Sequence, residues 1–145
     1  MIALRWNAAT GEADAVRRGG NLLVESGLAT AVMISLFTDR APNGADGDPV
    51  GKGYWADSLS EWPGFILGSY LWKLQRAKTT VGALRDAETW AKDALAWMVA
   101  DGVASSVTAD AVVAATGVIH LRVAVMPPDE SSPFISYWEV PYAVL

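Results

Sequence analysis

The chain has 145 residues, a net charge of −5 and a sequence pI near 4.7; this acidic balance speaks against nucleic acid or a membrane as partner, because phosphate contacts depend on clustered Lys and Arg. Cysteine is absent, which excludes disulfides and thiolate metal sites and leaves packing to hold the fold. Hydrophobic residues make up 52% and charged residues 19%, enough to bury the core of a single domain spanning residues 1–145 and apolar enough to imply either surface that a partner covers or an alanine-rich core.

Ile2, Leu4 and Trp6 alternate with Ala3 and Arg5, the period-2 pattern of a strand with one buried face. No charged start precedes a long apolar run there, so no secretion signal is read and the cytoplasm is the expected site of synthesis. Asn7 to Glu12 turns, and Gly19-Gly20-Asn21 and Ser26-Gly27 bracket a brief strand at Leu22-Leu23-Val24. Ala29 to Thr38 then reads as a central strand, with Val32, Ile34 and Leu36 on one face and Met33, Ser35 and Phe37 on the other. The uncharged stretch Ser26 to Thr38 is too short to cross a bilayer, which takes about 20 apolar residues.

From Asp39 to Gly64 the composition changes to Pro42, Asn43-Gly44, Asp46-Gly47, Pro49, Gly51 and Gly53, residues that set turns. Loops beyond about 12–15 residues are usually functional or disordered, and Tyr54, Trp55 and Trp62 need cover, so this long glycine-rich loop is expected to project and to be ordered by a partner. A first helix is expected from Ile66 to Ala77, with Leu67, Tyr70, Leu71 and Leu74 at helical spacing and Lys73, Arg76 and Lys78 towards its C-terminal end. A second should run from Val81 to Asp101, with Thr80 as N-cap and Gly102 as left-handed stop. Leu84, Ala87, Ala91, Ala94, Leu95 and Met98 form its buried stripe, with Trp90 and Trp97 on the flank.

Val107 to Ala115 and Val118 to Met126 flank Thr116-Gly117 as a hairpin, Ile119, Leu121, Val123 and Val125 facing in and His120 and Arg122 facing out. A final strand, Phe134 to Val144, contains Pro141, which cannot donate to a ladder and favours an edge. Because Phe134, Trp138, Val140, Tyr142 and Val144 are too apolar for an open edge, a partner strand is expected to complete it. The fold class is α+β: a mostly antiparallel sheet covered on one side by two central helices.

Catalytic patterns are weak. His120 has no Cys or activated Ser motif beside it. Asp46-Gly47-Asp48-Pro49-Val50-Gly51 with Asp57 mimics part of a calcium loop but breaks at Pro49, Val50 and Asp57. Glu61 beside Trp62 and Glu88 near Trp90 hint at glycoside chemistry, yet nothing fixes either pair at catalytic separation. No catalytic, metal or cofactor residue is assigned. The seven tryptophans, Trp6, Trp55, Trp62, Trp72, Trp90, Trp97 and Trp138, are the better clue, since rigid aromatics dominate interface hot spots; Trp6, Trp72 and one of Trp90 or Trp97 suit the core, and Trp55 and Trp62 suit contacts.

The run Ile34 to Arg40, the Gly53-Tyr54-Trp55-Ala56-Asp57 element and Gly68-Ser69-Tyr70-Leu71-Trp72-Lys73-Leu74-Gln75-Arg76 together resemble the small baseplate wedge proteins of Mu-like contractile-tailed phages. That family is similar to the wedge subunit that seats the tail sheath in T-even phages. The matching positions are Thr38, Asp39, Gly53, Trp55, Asp57, Gly68, Ser69, Leu71, Trp72 and Arg76; Tyr54 stands where a tryptophan is expected, and Lys73 where an apolar residue is. The resemblance implies a structural protein of the virion tail baseplate in sixfold arrangement around the tube. It would bind the larger wedge subunits and the sheath through these positions with Tyr54, Trp62 and Trp138, and tube or hub proteins are further candidates. The rivals are a peptidoglycan-degrading tail enzyme and an assembly chaperone absent from the mature particle.

Overall fold

The computed structural model describes residues 4–22, 27–41, 52–54, 66–77 and 79–143, with backbone only at Arg18, Asn21 and Leu22. Most of the Asp39 to Gly64 loop, with Trp55, Asp57, Glu61, Trp62 and the calcium-like run, lies outside them, as do Ile2, Leu23, Val24 and Val144.

The class is α+β, and among the described residues the antiparallel strands are divided among three small sheets instead of one. Strand β1 (Leu4–Asn7) pairs with β2 (Glu12–Ala15), and β3 (Arg17–Arg18) pairs with β4 (Asn21–Leu22). Leu4 and Trp6 are half-buried while Arg5 and Asn7 are exposed, as the alternation predicts. Strand β2 had no apolar pattern to announce it: Glu12, Ala13 and Asp14 are all exposed.

The expected central strand at Ala29 to Thr38 is instead a helix, α1 (Leu28–Phe37). A run apolar on both faces carries no alternation that excludes a helix, and its ten residues exceed the usual strand. Thr30, Val32, Met33, Ser35 and Leu36 are buried, a set at helical spacing. Conversely, the helix expected over Ile66 to Ala77 shortens to a 3-10 helix, Leu71–Arg76. Gly68, at φ 105°, is outside the helical region, and Ser69 is engaged in a parallel bridge to Asp39, so helix can begin only after them.

Helix α2 (Thr80–Ala100) is the long element. Its cap is Thr79, one residue before the expected Thr80: the hydroxyl accepts from the Gly82 N–H at 3.0 Å. Gly102 follows at φ 75°, the expected left-handed stop. Ala83, Ala87, Ala91, Ala94, Leu95 and Met98 are buried, and Leu84, placed in this stripe by sequence, is only half-buried and yields its position to Ala83. Small side chains let α2 lie close on the third sheet.

That sheet runs β5 (Ser106–Ala115), β6 (Val118–Met126), β7 (Phe134–Pro141) in order, all antiparallel. Ile119, Leu121, Val123 and Val125 are fully buried and His120 is exposed, as period 2 requires. The register aligns Ala111, Leu121 and Trp138 across the sheet. Beside α2, β5 contributes only Ala109 and Ala111 to the core, matching the small stripe on the helix. Glu88 of α2 also accepts from the Ala111 N–H at 2.9 Å, so a carboxylate that hinted at catalysis is tied to a strand.

Strand β7 is an edge, as Pro141 predicts. The residues after it are already paired within the chain: Ala143 donates to the Leu74 carbonyl and accepts from the Ala77 N–H, each at 3.0 Å, and Tyr142 donates to the Gly117 carbonyl at 3.0 Å. The apolar character of β7 has an internal cause, since Trp138 packs against the core and Val140 is buried within it.

Candidate protein-contact surface

The segments around Thr38 and Ser69 come together at the C-terminal end of α1. Thr38 leaves that helix in extended conformation (φ −79°, ψ 127°), and two main-chain bonds clasp the strands: Ser69 N–H to the Thr38 carbonyl at 2.9 Å, and Arg40 N–H to the Ser69 carbonyl at 3.0 Å. The Ser69 hydroxyl donates to the Leu36 carbonyl at the end of α1 and accepts from the Leu71 N–H at 3.2 Å. One buried serine therefore satisfies the last turn of α1 and the first residue of the 3-10 helix.

Gly68 makes this clasp possible. Besides its positive φ, a Cβ placed there would lie 2.3 Å from the Thr38 carbonyl oxygen, inside any tolerable contact. Gly53 plays a similar part against Ala41, whose Cβ would be 2.8 Å from an added one. The rings of the 3-10 region then lock the same strand: Trp72 Nε1 donates to the Arg40 carbonyl at 3.1 Å, and the Tyr70 hydroxyl donates to the Ala41 carbonyl at 3.3 Å.

Cations collect on these rings. Lys52 sits 5.1 Å from the Trp72 ring centre and pairs with Asp39. Lys73 lies 4.6 Å from Tyr70 and 5.6 Å from Trp72, and the Arg40 guanidinium lies 5.6 Å from Tyr70. Such distances are within cation–π range. Lys73, read from sequence as a favourable helix-end charge and as a departure from the family's apolar residue, thus belongs to a basic aromatic cluster in an acidic chain.

Of the residues assigned to contact by sequence, the fold brings Thr38, Asp39, Gly68, Ser69, Leu71 and Trp72 into one junction. Gly68, Ser69 and Leu71 are buried in it, Trp72 is half-buried and Arg76 is exposed. Gly53 and Tyr54 are exposed, and Gly53 reaches the junction through Ala41. Trp138 stands apart on β7, where its indole donates to the Ser136 hydroxyl at 2.9 Å and its ring meets Phe37 edge-on at 5.8 Å. Trp55, Asp57 and Trp62 lie outside the described residues.

Sequence reasoning missed the neighbouring aromatic stack. Trp6 lies on Phe37 with ring centres 4.1 Å apart and planes 14° from parallel. Beside it is a small pocket of about 100 Å³ whose lining includes Trp6, Phe37, Leu71, Trp72 and Pro141. Trp6 Nε1 is buried with no hydrogen-bond partner among the described residues. Residues so far apart in the chain share no local spacing that could have announced this.

Among the described residues, the titratable groups outside the junction do not converge on a reaction. His120 lies on the exposed sheet face, 3.4 Å from Glu139, and Arg122 pairs with Asp110 at 3.5 Å. An open cleft of about 870 Å³ along the β1–β2 hairpin is bordered by Arg5, Glu12, Asp14 and Arg17, with exposed side chains of both signs. Among the described residues no group of three or more His, Asp or Glu could hold a metal.

The model of the family described as "Phage protein GP46" matches residues 28–132, which takes in α1, the junction, α2 and most of the third sheet. The chain belongs to the phage GP46 family. It is 40% identical over 131 residues to the Mu-like prophage FluMu protein gp46 of Haemophilus influenzae, covering 90% of each chain. It is 35% identical over 134 residues to the baseplate protein gp46 of Escherichia phage Mu, covering 90% of this chain and 89% of that one. The resemblance read from the junction residues is thus matched over nearly the whole sequence.

Proposed function

We propose that this chain is a wedge subunit in the baseplate of a Mu-like contractile tail, where it binds the larger wedge proteins and helps seat the first sheath ring. The observation that carries the baseplate assignment is the 35% identity over 90% of the chain to the Mu baseplate protein. Membership of that family makes this a phage tail baseplate protein, present in the virion. The wedge position, the sixfold arrangement and the contact with sheath are the finer part of the reading.

A structural role accords with the chemistry of the junction. Its buried members, Gly68, Ser69 and Leu71, use their bonds to join α1 to the 3-10 helix, while Trp72 and Arg76 remain accessible at its surface. A rigid base presenting aromatics and arginine is the composition expected of a contact hot spot. The carboxylate of Glu88, bonded to the Ala111 N–H, supports a structural rather than a hydrolytic part for that residue.

Mass spectrometry of purified tails tests presence in the particle, and a zymogram on cell-wall substrate tests the enzymatic rival. In a deletion strain, baseplates are expected to fail to polymerise sheath, with normal activity restored by the intact gene. Sheathed tails of normal length without this protein would reject the sheath-seating role. In pull-downs with the larger wedge proteins, Trp55→Ala and Trp62→Ala should each weaken binding by about 2 kcal/mol, the size of a hot-spot truncation. Unchanged affinity for both would assign these rings to the chain's own packing.

A further inference from the structure

Strand β5 is an edge of its sheet: β6 is its neighbour on one side, and no strand among the described residues lies on the other. In an antiparallel ladder successive amides point alternately towards the neighbour and away from it. The Ala111 N–H, bonded to the Glu88 carboxylate of α2 at 2.9 Å, is one of those that point away, and the Val113 N–H shares its direction. We propose that the Glu88 carboxylate is a guard on this edge, keeping β5 from pairing with β5 of a second copy of the chain. The inference concerns the free chain and goes beyond the tail reading, whose tests do not involve Glu88.

The edge is open where the guard stands. Ala109 is almost wholly buried, whereas Val112, Val113, Ala114 and Ala115 are exposed, a run of apolar residues on the unpaired side of a sheet. Open apolar edges invite another chain. A bulge between Val113 and Ala115 breaks the register beyond Val113, so the regular stretch that remains accessible runs from Ala111 to Val113.

Symmetry shows what Glu88 prevents. Two copies of one strand pair antiparallel about a twofold axis. With that axis at Val112, Ala111 of each copy meets Val113 of the other, and both residues donate main-chain bonds across the interface. The Val112 side chains then meet at the axis, on the sheet face away from α2.

The carboxylate occupies the Ala111 donor in each copy and brings two negative charges to the same short interface. The Val113 donors that remain are too few to hold two chains, since even a two-stranded hairpin within one chain is marginal in water. A carboxylate also suits the task better than an apolar plug. It satisfies the amide in the free chain, so no donor is stranded there, and its charge resists burial inside a longer sheet.

The test uses the full chain. In sedimentation, the parent and Glu88→Gln, which keeps an acceptor in the same place, should be monomeric. Glu88→Ala and Glu88→Ser, whose side chains cannot reach Ala111, should dimerise as concentration rises. Val113→Pro removes an outward donor and no ladder bond, so adding it to Glu88→Ala should restore the monomer. The chain lacks cysteine, so a single introduced thiol reports the axis. Across it the two Val112 Cα atoms would stand about 4.5 Å apart, within disulfide reach. Adding Glu88→Ala to Val112→Cys should speed disulfide dimer formation roughly tenfold or more, as sulfurs held at bonding distance require. The same addition to Tyr137→Cys, comparably exposed on the same sheet face, should change nothing. Unchanged hydrogen-exchange protection along α2 establishes that a variant is folded. Folded Glu88→Ala and Glu88→Ser that stay monomeric up to about 1 mM, the Kd of a weak contact, would overturn the proposal. So would association that survives Val113→Pro, equal dimerisation of Glu88→Gln, or loss of fold in both truncations, which would make the bond purely structural.

Discussion

The α2 and β5–β7 half of the molecule and the junction of residues 38–41 with 66–76 are stabilised in different ways. In the first, a stripe of alanines with Leu95 and Met98 packs on a regular sheet, and many small contacts share the work. In the second, a few bonds at Gly68, Ser69 and Trp72 fix two irregular strands that no ladder extends. Distributed packing tolerates a local change at a graded cost, whereas a clasp depends on each member. Binding residues on irregular segments over a rigid scaffold are a common division of labour, and the GP46 family match takes in the junction together with α2, β5 and β6.

The largest effect should come from the packed half. Leu95 of α2 is fully buried in the core, and Leu95→Ala is expected to cost about 2–5 kcal/mol depending on how far the helix settles into the void. The measurement is urea unfolding followed by both far-UV circular dichroism and tryptophan fluorescence. If the two halves share one core, both probes should shift together; a shift in circular dichroism alone would separate them.

Gly68→Ala attacks the clasp. The added Cβ would meet the Thr38 carbonyl oxygen at 2.3 Å with φ at 105°, so the bridge between Asp39 and Ser69 must open, at about 2–3 kcal/mol. The outcome should differ in kind from that at Leu95: α2 and the hairpin keep their hydrogen-exchange protection while the Arg40 and Ser69 amides lose theirs, and incorporation into baseplates falls. Protection retained at Arg40 and Ser69 would refute the clasp.

The Ser69 hydroxyl sharpens the same contrast at lower cost. In Ser69→Ala the Leu36 carbonyl and the Leu71 N–H both lose a buried partner, which is expected to cost about 1–3 kcal/mol. Ser69→Thr retains the hydroxyl but adds a methyl to a closed site, so rescue should be partial. Full stability in Ser69→Ala, measured by the same denaturant series, would mean that water or the backbone takes over both roles.

The two halves were also unequally legible in the sequence. The hairpin showed itself through strict alternation from Ile119 to Val125 and the Thr116-Gly117 turn, and α2 through spacing and its Gly102 stop. These signals are local, so they survive reading without a partner. The helix at Leu28–Phe37 was hidden because its residues are apolar on every side, which leaves period 2 and period 3.6 equally satisfied. The 3-10 turn was hidden because what ends it upstream is a contact between Gly68 and Thr38, thirty positions away in the chain. Motif positions such as Ser69 and Trp72 could be named from the family likeness, but their partners, Leu36 and Arg40, could not. The Trp6 and Phe37 stack is the extreme case, an encounter set wholly by tertiary structure.

The smallest predicted effect lies at the start of α2, where the packed half begins and where two residues should act as one. Thr79 caps the helix by accepting from Gly82, and a Cβ on Gly82 would come within 2.8 Å of the Thr79 hydroxyl. Thr79→Ala alone should cost about 1 kcal/mol, the usual worth of a cap. Gly82→Ala alone improves helix propensity by up to about 1 kcal/mol but pushes the capping hydroxyl aside, so its net effect should be close to zero. In the double variant the hydroxyl is gone, nothing opposes the new methyl, and the propensity gain should be realised in full. Stability close to that of the parent chain is therefore expected for the pair, a non-additivity of about 1 kcal/mol between residues three apart. Strict additivity in thermal unfolding would show that the Thr79 side chain has another rotamer from which to cap, and that the glycine is not needed for it.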